Sequence, residues 1–248
     1  MALKSNEEWR RWGKADPLWA VSTEAGKQRG SPTAWVPEEF YATGENDWRD
    51  FFNTWRQYGV DTESCLEIGC GAGRMTKQLA RSFRAVYATD VSEGMIFCAV
   101  NSVKAANIRY CLTDGLNLPH PNQSVASIFS THVLQHLDGQ EIVLRCFKEF
   151  FRVLQFQGSL MVHVPLYDWP GYGRLNYIHR KVHRACLAAS DMLVRAKRRI
   201  GSNVMRGTAV NVRSLHAALR DQGFKDIEFR IFPTTRNDVL HSFVMARK

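Results

Sequence analysis

The sequence predicts an α/β fold in which a parallel sheet is covered by helices, and three observations carry that expectation. From Ser64 to about residue 165, short apolar runs alternate with longer amphipathic ones, which is the rhythm of successive βαβ units. The first apolar run, Cys65-Leu66-Glu67-Ile68, breaks into Gly69-Cys70-Gly71-Ala72-Gly73, three glycines at alternate positions ahead of a helix-forming stretch. The second, Ala85-Val86-Tyr87-Ala88-Thr89, ends in Asp90, seventeen residues after Gly73. Glycines at that spacing let a strand turn sharply into a helix and let backbone come close to a ligand. The helix then opens with free N–H groups over the turn. A carboxylate at the end of the next parallel strand stands where ribose hydroxyls are held in folds of this kind.

The elements follow in order. Strands are expected at 64–69, 85–90, 107–112, 125–130 and 158–164, with helices at 73–82, 92–104 and 139–154 between them. The rhythm then stops over 166–209 and resumes with a helix at 211–222 closed by Gly223 and strands at 226–233 and 238–247. Ahead of the sheet, residues 1–60 carry tryptophans at 9, 12, 19, 35, 48 and 55 together with Phe40, Tyr41, Phe51 and Phe52. They read as an aromatic N-terminal cap. Its one clear helix is expected at 46–58, with Trp48, Phe51, Phe52 and Trp55 on one face, and 40–45 reads as a loop before it. The domain division expected is therefore a cap at 1–60 and a main domain at 61–248, with a helical lid inserted at 166–209.

Composition bounds the function. A chain of 248 residues with 45% hydrophobic content buries one sizeable core. No run of 18 apolar residues is present, which argues against a spanning helix, and the polar start MALKSNEEWRRWGK lacks an apolar signal core. A cytoplasmic protein is the expectation. The six cysteines (65, 70, 98, 111, 146 and 186) show no Cys-x-x-Cys spacing, so they read as small core residues and no metal site is expected. The net charge of +9 is uneven: residues 1–160 hold 17 Lys+Arg against 18 Asp+Glu, and residues 161–248 hold 16 against 6.

The glycine turn distinguishes among nucleoside ligands. A dinucleotide fingerprint would place its third glycine at position 74, which is Arg74, and no phosphate-binding Gly-Lys-Ser/Thr run follows. Glu67-x-Gly69-x-Gly71-x-Gly73 resembles motif I of the class I S-adenosylmethionine-dependent methyltransferases, within the superfamily of small-molecule enzymes like those of ubiquinone and menaquinone biosynthesis. The resemblance implies a doubly wound, seven-stranded Rossmann-like methyltransferase fold with strand order 3-2-1-4-5-7-6. Asp114-Gly115-Leu116 through Pro119 and Ser124 resembles that family's Gly-Asp-x-x-x-Leu-Pro-Phe segment, although His120 stands where phenylalanine is usual and Ala126 where aspartate is. The resemblance covers 64–165 specifically and 211–248 in outline.

S-adenosylmethionine is accordingly the expected cofactor. Glu67, Gly69, Cys70, Gly71, Gly73, Asp90, Val91 and Ser130 are expected to surround it. Asp114, with Gly115 and Leu116, is expected to meet the adenine. Met95 reads either as an adenine contact or as a first-turn core residue, and Tyr41 is expected near the methionine end. Strand 4 runs into Ser130-Thr131-His132-Val133-Leu134-Gln135-His136, and the carboxyl end of a central strand faces the ligand crevice. His132 is the expected general base, with His163 as the reserve. His136 matches a histidine common in the family.

Tyr167, Trp169, Arg174 and Arg180, with His136, are the candidate acceptor contacts. The run from Arg174 to Arg199 sets eight cations against Asp191 alone. It reads as a solvated face, as a surface for anionic membrane, or as recognition of an acidic acceptor such as a sugar nucleotide or lipid-linked saccharide. Methyl transfer to a small or medium-sized molecule, at oxygen, is the leading expectation. The alternatives are N-methylation, an RNA substrate suggested by the basic C-terminal third, and a non-catalytic relative. A dinucleotide oxidoreductase is more remote. Neither a nucleic-acid partner nor a transmembrane segment is expected, and the acceptor and oligomeric state are left open.

Overall fold

The computed structural model describes residues 3–168, 207–236 and 239–248. Three helices precede the sheet: α1 (Lys4–Ala15), α2 (Pro17–Val21) and α3 (Pro37–Tyr58). Asp16 separates the first two and caps the second, its Oδ1 accepting from the Trp19 N–H at 3.3 Å while Pro17 fills the first helical position. α3 also starts on a proline, carries Glu38 and Glu39 in its first turn, and stops at Gly59 with a left-handed φ of 93°. Its buried residues Phe40, Tyr41, Gly44, Asp47, Trp48, Phe51, Trp55 and Tyr58 recur at three- and four-residue intervals, so one stripe of the helix faces inward.

The loop expected at 40–45 is therefore helix. Gly44 misled the reading, because it marks a crossing instead of a turn. A Cβ there would stand 2.6 Å from the carbonyl oxygen of Arg74, so only glycine lets α3 pass so close.

The sheet is built from β1 (Ser64–Ile68), β2 (Ala85–Asp90), β3 (Ile108–Leu112), β4 (Val125–Ser130), β5 (Leu154–His163), β8 (Lys225–Pro233) and β9 (Leu240–Arg247). Two short strands, β6 (Leu166–Tyr167) and β7 (Val210–Asn211), pair with each other apart from it. The main order is β3-β2-β1-β4-β5-β9-β8, the doubly wound order expected. β1 to β5 run parallel, and β9 lies antiparallel between β5 and β8. The connecting helices are α4 (Thr76–Ser82), α5 (Glu93–Ser102), α6 (Gln140–Val153) and α7 (Val212–Gln222).

Alternation along the strands sorts the core onto two faces. Leu66, Ile128, Leu160, Val162 and Val244 meet Phe147 and Phe150 of α6 and Leu215 and Leu219 of α7. Cys65, Phe129, Met161, Phe243 and Met245 meet Trp48, Phe51 and Trp55 of α3 and Leu79 of α4. Both faces are covered, which is why the strands read as nearly continuous apolar runs. The region expected as a cap thus splits in space: α3 covers a sheet face, while α1 packs on α5. There a Cβ on Gly94 would stand 2.6 Å from the Gly13 carbonyl oxygen. The expected lid lies outside the described residues except at its two ends, which Leu166↔Val210 pairing brings together. The five described cysteines are free. No helix among the described residues is long and apolar enough to cross a membrane.

Candidate active site

A cavity of about 550 Å³ lies over the carboxyl ends of the central strands, where open α/β sheets bind ligands. Its floor begins at the glycine turn. Gly69, Gly71 and Gly73 all take positive φ, at 71°, 53° and 86°, a region that favours glycine. The Gly69 and Cys70 N–H groups both donate to the Thr89 carbonyl, at 2.8 and 2.9 Å, which locks the turn to the end of β2. Asp90 is held beside it: its Oδ2 accepts from the Gly71 N–H and its Oδ1 from the Ser92 N–H, each at 2.9 Å. Burial raises the Asp90 carboxyl to about 6, against the pull of these backbone donors. Gly69, Gly71, Asp90, Val91, Gly115 and Leu116 all line the cavity.

Other expected cofactor residues take different places. Glu67 points under the turn, where its Oε2 accepts from the Thr76 hydroxyl at 2.6 Å at the start of α4; burial pushes it up to about 8. Gly73 faces Ala99 of α5 and Val103 just after that helix. Cys70 and Ser130 are buried, and the Ser130 hydroxyl donates to the Ile68 carbonyl at 3.1 Å. Tyr41 supports the turn from behind, its hydroxyl donating to the Ala72 carbonyl at 2.8 Å. Met95 is wholly buried among Trp12, Trp19 and Ala20, so it is core. The Asp114 carboxylate turns back on its own loop, accepting from the N–H groups of Leu116 and Asn117 at 2.8 and 2.7 Å. It is the turn former that a loop aspartate commonly is, and its neighbours Gly115 and Leu116 are what reach the cavity.

The roof comes from α1 and α2. Ser5, Asn6, Trp9 and the stretch Trp19–Glu24 line the cavity from above. Asn6 Nδ2 donates to the Asp114 carbonyl at 2.7 Å, Arg10 Nε to the Val91 carbonyl at 3.1 Å, and the Lys4 N–H to Asp138 Oδ2 at 2.7 Å. Trp9 meets the His136 ring edge-on, with centroids 5.1 Å apart. These contacts lay α1 across the ends of β2, β3 and β4.

The far end of the cavity is polar. Arg74, directly after the glycine turn, is buried and donates from Nη1 to Asp47 Oδ2 at 2.6 Å. Arg236 lies 3.4 Å from the same oxygen and also pairs with Glu24. Beside them stand His132 and His241 on the wall, with His163 behind. The His132 ring centroid is 4.5 Å from that of His163 and 5.1 Å from that of His241. His132 takes a left-handed φ of 58°, uncommon for a side chain of its size. Burial, then the neighbouring His163, Arg74 and His241, hold its imidazole well below the usual histidine range. Burial also lowers His163 and His241. A general base works best with a pKa near the working pH, so these surroundings weaken His132 for the task expected of it.

His136 lies on the wall as well. Tyr167 sits in β6, away from the lining, and Trp169, Arg174 and Arg180 lie outside the described residues. Arg236, Asp47, Glu24 and His241 went unread in the sequence. Only Arg74 gave a signal, as the arginine interrupting a dinucleotide fingerprint.

Residues 66–162 match the methyltransferase domain family, and that span holds the glycine turn, Asp90 and the loop at Asp114. Those residues are thus a methyltransferase domain. Outside the domain's matched span lie the roof, α3, the cavity-lining Arg236 and His241, and the final hairpin. Among curated relatives, a fatty-acid O-methyltransferase of Mycolicibacterium smegmatis is 26% identical over 206 residues, covering 80% of this chain and 65% of that one. A demethylmenaquinone methyltransferase of Tropheryma whipplei is 35% identical over 101 residues, covering 40% of this chain and 41% of that one. The chain thus spans less than two thirds of the length of either. Among solved structures, the magnesium protoporphyrin IX methyltransferase of Synechocystis superposes with a TM-score of 0.63 at 15% identity, over 99% of this chain and 100% of that one. At that identity the methyltransferase likeness is one of fold.

Proposed function

We propose that this protein transfers a methyl group from S-adenosylmethionine to an oxygen of a small or medium-sized acceptor. One observation carries the reading: a single cavity joins Gly69, Gly71 and Asp90 at one end to Arg74, His132, Arg236 and His241 at the other. Cofactor and acceptor therefore have room to meet end to end. The cofactor end fits its ligand. Gly69, Gly71 and Gly115 present bare backbone to the cavity, and the Asp90 carboxylate faces the place of the ribose hydroxyls. The bound cofactor supplies a methyl group already activated on a sulfonium.

The chain's own task is then to orient the acceptor and exclude water. The roof of α1 and α2 encloses the cavity, which suits a compact acceptor better than a polynucleotide. On the acceptor side two guanidiniums, Arg74 and Arg236, face the space, and the carboxylates Asp47 and Glu24 are already paired with them. The four charges balance two against two, so an anionic oxygen meets no net repulsion there. An acidic oxygen acceptor such as a carboxylate also arrives deprotonated, so the weak basicity of His132 is no obstacle. The relative that acts on fatty acids at oxygen supports this choice.

The test is a screen of purified protein with labelled S-adenosylmethionine against carboxylic acids, phenols and amines. Label transferred to an acid or phenol is expected, and transfer to amines alone would overturn the assignment to oxygen.

A further inference from the structure

We propose that His132, His163 and His241 form a site for a divalent transition-metal ion at the acceptor end of the cavity. Each offers one ring nitrogen, and the three nitrogens lie within 4.8 Å of one another. Two come from strands of one sheet and the third from the loop that follows a neighbouring strand. His163 ends β5 and pairs in register with Phe243 of β9, which sets His241, two residues earlier, on the same face. His132 follows β4, the neighbour of β5, and its left-handed backbone turns it toward them.

A second observation points to a ligand. His163 and His241 are each only 5% exposed, yet His163 Nδ1 and both ring nitrogens of His241 have no hydrogen-bond partner. Leaving a buried polar atom unpaired is unfavourable and rare in native proteins. A cation takes one nitrogen from each ring, so an ion between His163 and His241 accounts for one such atom on each. Imidazole nitrogen suits zinc, copper, iron and nickel, and three protein ligands with a fourth position open is the arrangement of catalytic zinc sites. A tetrahedral ion about 2.0–2.1 Å from each nitrogen sets the nitrogens roughly 3.4 Å apart. The nitrogens, now within 4.8 Å of one another, would draw together to reach it.

The charges around the site are mixed. Arg74 and Arg236 oppose a cation, and Asp47 and Glu24, paired with them, offset their two charges. The open coordination position faces the cavity, since His132 and His241 are on its wall. An acceptor oxygen bound there would be oriented by the ion. That role rests on the methyl-transfer reading, whereas the ion site does not.

The test uses the full chain, stripped with a chelator, and zinc or cobalt(II) alone as probe. Titration calorimetry should show one equivalent of zinc bound, and cobalt should give the visible bands of a nitrogen-ligated ion. His163→Ala and His241→Ala should each weaken that binding at least a hundredfold. His132→Gln, altered in a partly exposed loop, serves as the variant that keeps the fold, and circular dichroism checks all three. Added zinc should raise the melting temperature of the native chain but not of the folded variants. Binding no stronger in the native chain than in His132→Gln would overturn the proposal. Calorimetry of the stripped chain with S-adenosylmethionine separates the two readings: lost cofactor binding with metal binding retained counts against the methyltransferase reading alone.

Discussion

Arg74 Nη1 and Asp47 Oδ2 meet at 2.6 Å with only 5% and 4% of their side chains exposed. Asp47 belongs to α3 and Arg74 follows the glycine turn, so this pair fastens the helix from the N-terminal region to the heart of the cofactor site. Removing one partner of a buried pair strands the other charge, at a cost of about 3–5 kcal/mol. Asp47→Ala strands Arg74 and also deprives Arg236, and should lose stability of that order in urea unfolding. The double change Asp47→Leu with Arg74→Met should lose markedly less. Equal losses in the two proteins would show that packing, not charge, is at stake.

Asp90 links pH to cofactor affinity. Its carboxyl is raised to about 6 in the free protein, and only the ionised form accepts well from two ribose hydroxyls. Affinity for S-adenosylmethionine should therefore be full above pH 7 and fall about tenfold per unit below pH 6. Asp90→Ala should weaken binding by one to two decades, on the order of the 1.5–3 kcal/mol of a charged hydrogen bond, and should flatten the pH response. Calorimetry between pH 5 and 8 reads both effects.

Gly71 joins the cofactor turn to the roof. It holds a φ of 53°, and a Cβ there would stand 2.7 Å from a methyl of Val21. Gly71→Val should abolish cofactor binding and displace α2, visible as increased proteolysis ahead of residue 36. Intact binding in this variant would place the cofactor elsewhere.

Glu67 makes stability depend on pH in the opposite sense to a salt-bridged acid. Its folded carboxyl titrates near 8 against an ordinary value of 4.5, so the folded state keeps a proton that the unfolded chain gives up. Stability contributed by this group is full below pH 4.5 and is lost as pH climbs to about 8. Glu67→Gln keeps an acceptor for Thr76 and removes the titration. Its urea midpoint should change less between pH 5 and 8 than that of the native chain.

Arg236 lies between Asp47 and Glu24 at the proposed acceptor end. Arg236→Gln should raise the KM for an acidic acceptor and leave cofactor affinity within about twofold. A matching loss of cofactor affinity would mean that the variant disturbs the roof instead.

Local chemistry was legible in the chain wherever it is set by neighbours in sequence. Three glycines in one turn, a carboxylate at the end of the next strand, and apolar alternation bounded by breakers place β1 to β4, α6 and the final hairpin within a few residues. The family resemblance built on those residues supplied the sheet order. The same local reasoning failed where a residue answers a distant one. Gly44 looks like a loop glycine until the Arg74 carbonyl is seen against it. Glu67 and Tyr41, expected at the cofactor, have as partners Thr76 and the Ala72 carbonyl, which no local spacing announces. The acceptor end is still less visible from sequence. His132, His163 and His241, or Asp47, Arg74 and Arg236, share no spacing, because each group is drawn from separate elements that only the sheet order and α3 bring together. The turn that cradles a nucleoside is a property of consecutive φ angles and can be read along the chain. The pocket that chooses an acceptor is a property of convergence, and only the tertiary structure decides it.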